Sequence, residues 1–172
     1  VGAASRTVRK PEQTDLAYFW TANFFAQMNE ALRGVAKDRL KDVGDSARMF
    51  ALTAFAAADS QISVYDAKYH YNFWRPITAI QHGNNDRNPL TVGDVSWTPL
   101  VATPAYPENS SGANCLAAAI TTVLQRFFNS DKVKISFTTT NPNVMVNPRT
   151  YQRLSDVQRD MIGARIYQGI HF

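Results

Sequence analysis

Hydrophobic positions recur every three or four residues through most of this chain. Leu16, Phe19, Trp20, Phe24, Met28, Ala31, Leu32 and Val35 follow that spacing, which predicts an amphipathic helix over 12–35 with Pro11 at its first turn. Gly34 and Gly44 flank a polar connection. Asp45 or Ser46 then caps a second helix, which continues through "DAKYHYNFW" and stops before Pro76, because the residue preceding a proline avoids the α region. Alanine is dense in it: Ala47, Ala51, Ala54, Ala56, Ala57 and Ala58. Small side chains let neighbouring helices approach closely, so this reads as the central helix. Residues 81–110 are rich in Gly, Asn, Asp and Pro and read as one long loop. Loops of that length inside a compact domain usually serve function. A third helix is expected from Ser111 to about Phe128. Val133, Ile135 and Phe137 alternate weakly, as a short hairpin or an extended strand would. Ser155 caps a last helix that runs to the chain end. The period is helical nearly throughout, so the fold class is all-α, a helical bundle.

Composition changes this picture little. With 172 residues, 45% hydrophobic and 19% charged, the chain can bury the core of one domain and is not disordered. The net charge of +4 leans toward anionic ligands. Its cations are scattered rather than blocked, which argues against nucleic acid as a partner. No stretch reaches the ~18 apolar residues of a membrane span, and no signal-peptide pattern is present. The chain begins with Val1, as a mature or trimmed product does. The expectation is a soluble protein, secreted or trimmed, of open location. Cys115 is the only cysteine and lies in an apolar run, which suits a buried, inert thiol.

Three groups of residues could do chemistry. Lys68 and Arg75 are seven apart, two helical turns, and project within about 20° of one another on a continuous helix. Taken alone, they fit two snorkelling or salt-bridged surface cations better than an anion site. Ser111 and Gly112 open the third helix, where free N–H groups and the dipole attract anions; taken alone, Ser111 is simply an N-cap. Arg165 and His171 are six apart, about 120° on an unbroken helix. Gly169 between them can turn the backbone. Together these residues supply three cations, a histidine and a helix N-terminus able to meet at one oxyanion.

The same segments carry a resemblance. "KYHYNFWRP" reads Lys-x6-Arg-Pro, "YPENSSGAN" resembles a Pro-Ser-Gly-His segment, and "ARIYQGIHF" resembles Ser-Arg-x5-His. In that order they resemble the three signature motifs of the vanadium-dependent haloperoxidase and type 2 phosphatidic acid phosphatase superfamily. "RTVRKPEQTDLAYFW" and "DVSWTPLVATPAYPE" extend the likeness to its soluble haloperoxidase-like branch. The resemblance implies that Lys68, Arg75 and Arg165 neutralise the oxygens of vanadate or phosphate, and that Ser111 and the Gly112 N–H hydrogen-bond to it. His171 would be the covalent partner, as vanadate ligand or as phosphate-accepting nucleophile. Arginine forks and a neutral imidazole suit those roles. Haloperoxidases carry a longer bundle ahead of these motifs. Residues 1–172 are therefore expected to be one domain, an incomplete segment of a larger helical domain. A complementary chain or a second copy would cover its truncated end.

The chain departs from the motifs in specific places. Ala113 stands where the family has its acid–base histidine, and Ala164 where the third motif has serine. The acidic residue that orients the last histidine in phosphatases is not visible after Phe172. His70 falls on the wrong helix face, about 200° from Lys68. His82 in the loop could approach. Glu108 sits by a helix N-terminus that favours its charged form, against an acid role. Three functions follow. The first is a haloperoxidase-like protein that binds vanadate or phosphate, with peroxidase turnover weak or lost. The second is a non-enzymatic binding, storage or defence protein reusing the fold. The third is an acid phosphatase acting through His171.

Overall fold

The computed structural model describes residues 1–5 and 8–172. The irregular, basic opening read over 1–10 includes Arg6 and Thr7, which lie outside the described residues. Among the described residues six α-helices carry the fold: α1 (Pro11–Phe19), α2 (Phe24–Arg39), α3 (Val43–Tyr71), α4 (Pro76–Gln81), α5 (Gly112–Phe127) and α6 (Leu154–Tyr167). Strands β1 (Ile135–Phe137) and β2 (Arg149–Tyr151) form one antiparallel pair, with Ile135 opposite Tyr151. The all-α expectation holds. The core runs along α3 against α5, α5 against α6 and α6 against α1, with β1 covering α2. Among the described residues no helix is long and apolar enough to cross a membrane.

Caps explain where the elements differ from their hydrophobic periods. The helix expected over 12–35 is two helices. Thr21 donates to the Tyr18 carbonyl at 2.8 Å and closes the first. The Asn23 carboxamide oxygen accepts from Ala26 N–H and starts the second. Trp20, at the break, is buried with its ring edge-on to Phe19, Phe24 and Phe137. Apolar spacing continues through the break because Trp20 and Phe24 both face the core. Gly34 lies inside α2 rather than at its end. The cap of α3 is Asp42, whose carboxylate accepts from Asp45 N–H at 3.1 Å, not Asp45 or Ser46. A Cβ at Gly44 would sit 2.8 Å from that capping oxygen, so glycine leaves the cap room.

Helix α3 ends at Tyr71, where Asn72 adopts a left-handed conformation (φ 45°). It packs against α5 along one face, as a central helix would, and leaves its other face open. Met49, Thr53, Val64 and Lys68 are its buried residues, and much of its surface is open. The stretch 81–110 is a loop apart from the last residue of α4 and a 3-10 turn at Gly83–Asn85. The weak alternation over 133–147 yields β1, but its partner strand lies later, at 149–151. The last helix is capped from a distance. The Asp131 carboxylate accepts from Ser155 N–H and Ser155 Oγ, so Ser155 sits inside α6 rather than capping it. Cys115 is half-buried, with Sγ 3.9 Å from Ser110 Oγ, rather than sealed in the core.

Helix α6 stops at Tyr167, short of the chain end. Gly169 has φ +78°, a conformation glycine adopts without strain. Its backbone is pressed against Gly2, where a Cβ would collide with it. Residues 2–4 pair with 98–100 through Leu100 N–H to the Gly2 carbonyl and Ala4 N–H to the Thr98 carbonyl, both 2.9 Å. This clasp, with Gln168 Nε2 donating to Ala17 O at 2.7 Å, sets where His171 lands.

Leu124 on α5 is fully buried. Leu124→Ala is expected to cost about 2–5 kcal/mol, read as a lower urea midpoint with an unchanged m value.

Candidate functional site

The residues singled out from the motifs are assembled by backbone breaks rather than by a shared helix face. Arg75 is not on α3. It is the N-cap of α4 in extended conformation, returned beside Lys68 by the turn at Asn72. The two-turn argument therefore reaches the right pair for the wrong reason: a broken helix, not a continuous one, brings them together.

Lys68 and Arg75 converge on residues 106–108. Lys68 Nζ donates to the carbonyls of Pro107 (3.0 Å) and Glu108 (2.8 Å). Arg75 Nε donates to the Tyr106 carbonyl at 3.1 Å and Nη2 to that of Pro107 at 3.3 Å. Its Nη1 donates to the Ile170 carbonyl at 2.7 Å and faces His171 Nε2 at 3.3 Å. Both cations lie over the Tyr106 ring, 5.2 and 5.1 Å from its centre, a favourable arrangement for buried cations. Lys68 is fully shielded from solvent. Burial, then the neighbouring Arg75, brings its ammonium down to about 8, so it remains mostly charged at neutral pH.

His171 is buried and held from both sides. Its Nδ1 lies 2.5 Å from Glu108 Oε1. With Nδ1–H donated to that carboxylate, Nε2 carries the lone pair toward Arg75. Burial pushes the imidazole down to about 4; the bond to Glu108 opposes this and the charge of Arg75 adds to it. In that tautomer Nε2 accepts from Arg75 Nη1; the unprotonated nitrogen of a neutral imidazole is the atom that can ligate a metal centre or attack phosphorus. Glu108 thus supplies, from ahead of α5, the orienting carboxylate sought downstream of the histidine. The sequence points to Glu108 only as an acid candidate, and does not single out Tyr106. Their signal in the sequence was the tight "YPE" between two prolines' reach and a helix start, but the partner could not be named without the fold.

Ser111 is the N-cap of α5, its Oγ accepting from Asn114 N–H at 3.4 Å. Gly112 is the first residue of the helix, where N–H groups have no acceptor within the helix. Gly112, Ala113, Tyr106 and Arg165 line one cavity of about 310 Å3. Ala113 and Arg165 also line its neighbour of about 400 Å3. Arg165 donates through Nη1 to Gln168 Oε1 at 2.8 Å, while its Nε is shielded from solvent and without a protein partner. His70 is exposed, edge-on to Tyr71, and His82 is exposed at the end of α4. Among the described residues no three His, Cys, Asp or Glu side chains cluster to hold a cation. The donor set is instead cationic and N–H-rich, the chemistry that fits an oxyanion.

Fold and site together define an all-α bundle with a buried, cation-flanked histidine beyond its last helix. The chain belongs to the VCPO second helical-bundle domain family, whose model matches residues 48–172. It is 25% identical to the vanadium chloroperoxidase of Curvularia inaequalis over 92% of this chain and 30% of that protein. A bacterial vanadium-dependent iodoperoxidase superposes with a TM-score of 0.77 at 26% identity, over 93% of this chain and 38% of its own. The fold of a bacterial vanadium-dependent chloroperoxidase superposes with a TM-score of 0.73 at 18% identity, over 99% of this chain and 40% of its own. The chain thus spans well under half the length of these relatives.

The displaced imidazole has a pH consequence. Its folded value lies below the ordinary 6.5, so between pH 6.5 and about 4 the unfolded chain binds more protons than the folded one. Stability present above pH 6.5 is therefore lost as pH falls through that window. The slope of urea midpoint against pH is expected to flatten in His171→Gln. In the wild type, NMR titration of the His171 ring should give a midpoint near 4 rather than near 6.5.

Proposed function

We propose that this chain is the oxyanion-binding segment of a larger haloperoxidase-like protein, taking vanadate or phosphate at the N-terminus of α5. Its peroxidase turnover is weak or lost because Ala113 stands at the acid–base position. The observation that carries the reading is Arg165: a shielded guanidinium nitrogen without a partner, on the same cavity as Gly112 and Ala113. Such a nitrogen is costly to bury unless an anion completes it.

The residues divide the work. Lys68 and Arg75 use most of their donors on the carbonyls of 106–108 and Ile170, so they hold the loop and chain end in place and supply positive potential. Arg165 and Gly112 line the cavity and would meet the anion directly, while Ser111 caps the helix behind it and His171 lies outside its lining. Glu108 holds His171 in the tautomer whose unprotonated Nε2 accepts from Arg75 Nη1, a bond that an anion at His171 would have to displace. Vanadate, when bound, supplies the halide-oxidising chemistry. Ala113 can neither donate nor accept a proton. General acid–base catalysis typically contributes 10²–10⁴-fold, about 3–5 kcal/mol of barrier, and that share is what the alanine forfeits. An acid phosphatase reading draws on the same neutral, carboxylate-held His171, acting as nucleophile on esters whose leaving group needs no proton. A non-enzymatic binding, storage or defence protein is the remaining alternative, with the cage a relic.

Orthovanadate at 100 times its dissociation constant is expected to add about 2.7 kcal/mol of stability, read as a raised melting temperature. Arg165→Ala should remove the shift while leaving the unliganded protein folded. Arg75→Ala should remove it and also lower the unliganded melting temperature, since the loop loses its clamp. Ala113→His is expected to raise bromide oxidation at least ~100-fold. Hydrolysis of an aryl phosphate that vanishes in His171→Ala would favour the phosphatase. The absence of any vanadate or phosphate effect on melting would leave only the non-enzymatic reading.

A further inference from the structure

Two cavities meet at Ala113. The first, of about 310 Å3, is the one that Gly112 and Tyr106 line. The second, of about 400 Å3, is walled on one side by the break between α1 and α2. Ala113, Arg165 and Phe24 line both, so the two spaces adjoin around a methyl group, a guanidinium and a ring. Any longer side chain built on the Ala113 Cβ enters the space where they meet. The second cavity is mostly apolar: besides Phe24 it is lined by Trp20, Val101, Pro104 and Ile170. Among the described residues Arg165 is the one charged side chain on either lining. Its Nε is shielded from solvent and without a protein partner, and so is the indole Nε1 of Trp20. A buried donor left unpaired is costly, so the joined space lacks an acceptor at two places, one of them in the second cavity alone.

We infer that the site takes a monosubstituted oxyanion of phosphorus, an aryl phosphate ester or an arylphosphonate, with its anionic head at Arg165 and Gly112 and its ring in the cavity lined by Trp20 and Phe24. This rests on the oxyanion-binding reading of the same site and names the class of ligand. Clefts for small organic ligands run to about 300–1,000 Å3. Both cavities are of that scale, and a bare tetrahedral anion fills neither. An inorganic anion at Arg165 also leaves the second cavity and Trp20 Nε1 unused. One cation on the joined lining matches one anionic head on an otherwise uncharged body. The Trp20 and Phe24 rings stand edge-on to each other at 5.7 Å, a wall that suits a further ring in edge or offset contact. The π face of an aryl group also accepts an indole N–H. Alanine at position 113 is thus a gain of room as well as the loss of a proton donor. An imidazole there occupies the junction and leaves space for the head alone.

The test is isothermal titration of the intact chain with phenylphosphonate and with inorganic phosphate. Phenylphosphonate should bind at least ~10-fold more tightly. The Trp20 indole N–H resonance should move with phenylphosphonate well beyond its shift with phosphate. Ala113→Leu fills the junction, and Val101→Phe fills the second cavity without touching the lining of the first. Each should bring the two affinities within about 3-fold of one another while phosphate still binds. The wild-type comparison needs no variant, and circular dichroism checks that both variants fold. Equal wild-type affinities, or a preference that survives both substitutions, would overturn the inference and leave the oxyanion reading standing. Binding of neither anion would overturn that reading and the inference with it.

Discussion

The site depends on two buried cations closing over one short segment of backbone. Lys68 and Arg75 donate to the carbonyls of Tyr106, Pro107 and Glu108, and Arg75 reaches on to Ile170. Burying an ammonium and a guanidinium is tolerable only with acceptors in place. A loop without regular structure supplies them, because its carbonyls are not spent on a ladder or a helix. Each partner fixes the other: the loop satisfies the cations, and the cations order the loop. The candidate site hangs from this clamp. The loop delivers Glu108 to His171 and leads into Ser111 and α5, and the chain end delivers His171 to Arg75.

The clamp also changes how the three motif cations are understood. They are not equivalent ligands around one anion. Lys68 and Arg75 act largely on the protein itself and reach the site as potential and as scaffold. Arg165 on α6 keeps a shielded nitrogen free, and the positive end of α5 lies across the same cavity. A neutral imidazole lies beside the clamp, against Arg75. Burial and Arg75 both hold its proton off, while Glu108 fixes its orientation. Membership of the VCPO second helical-bundle domain family and this geometry point the same way.

Much of this was legible in the residues. The all-α class followed from the period of apolar positions, and α5 began at Ser111 as its cap residue required. The resemblance of three segments to the family motifs, rather than spacing alone, singled out Lys68, Arg75, Arg165 and His171. Gly169 was correctly read as a place where the chain could turn. Errors fell where apolar periodicity ran through a break, as at Trp20, and where a cap came from elsewhere in the chain. Asp131 caps α6 from more than twenty positions upstream, and no local pattern encodes that.

The sequence by itself determined the helical class, the start of α5 and the chemical types at the motif positions, because helix period, a local N-cap and glycine conformation are local properties. Only the tertiary structure decided which groups meet. Glu108 and His171 are separated by 63 positions, and Lys68 and Arg75 share a site across a helix break rather than along one face. Those pairings depend on the clasp between residues 2–4 and 98–100 and on the packing of α6. They arise when distant segments are buried together, and burial is a property of the assembled chain rather than of any window along it.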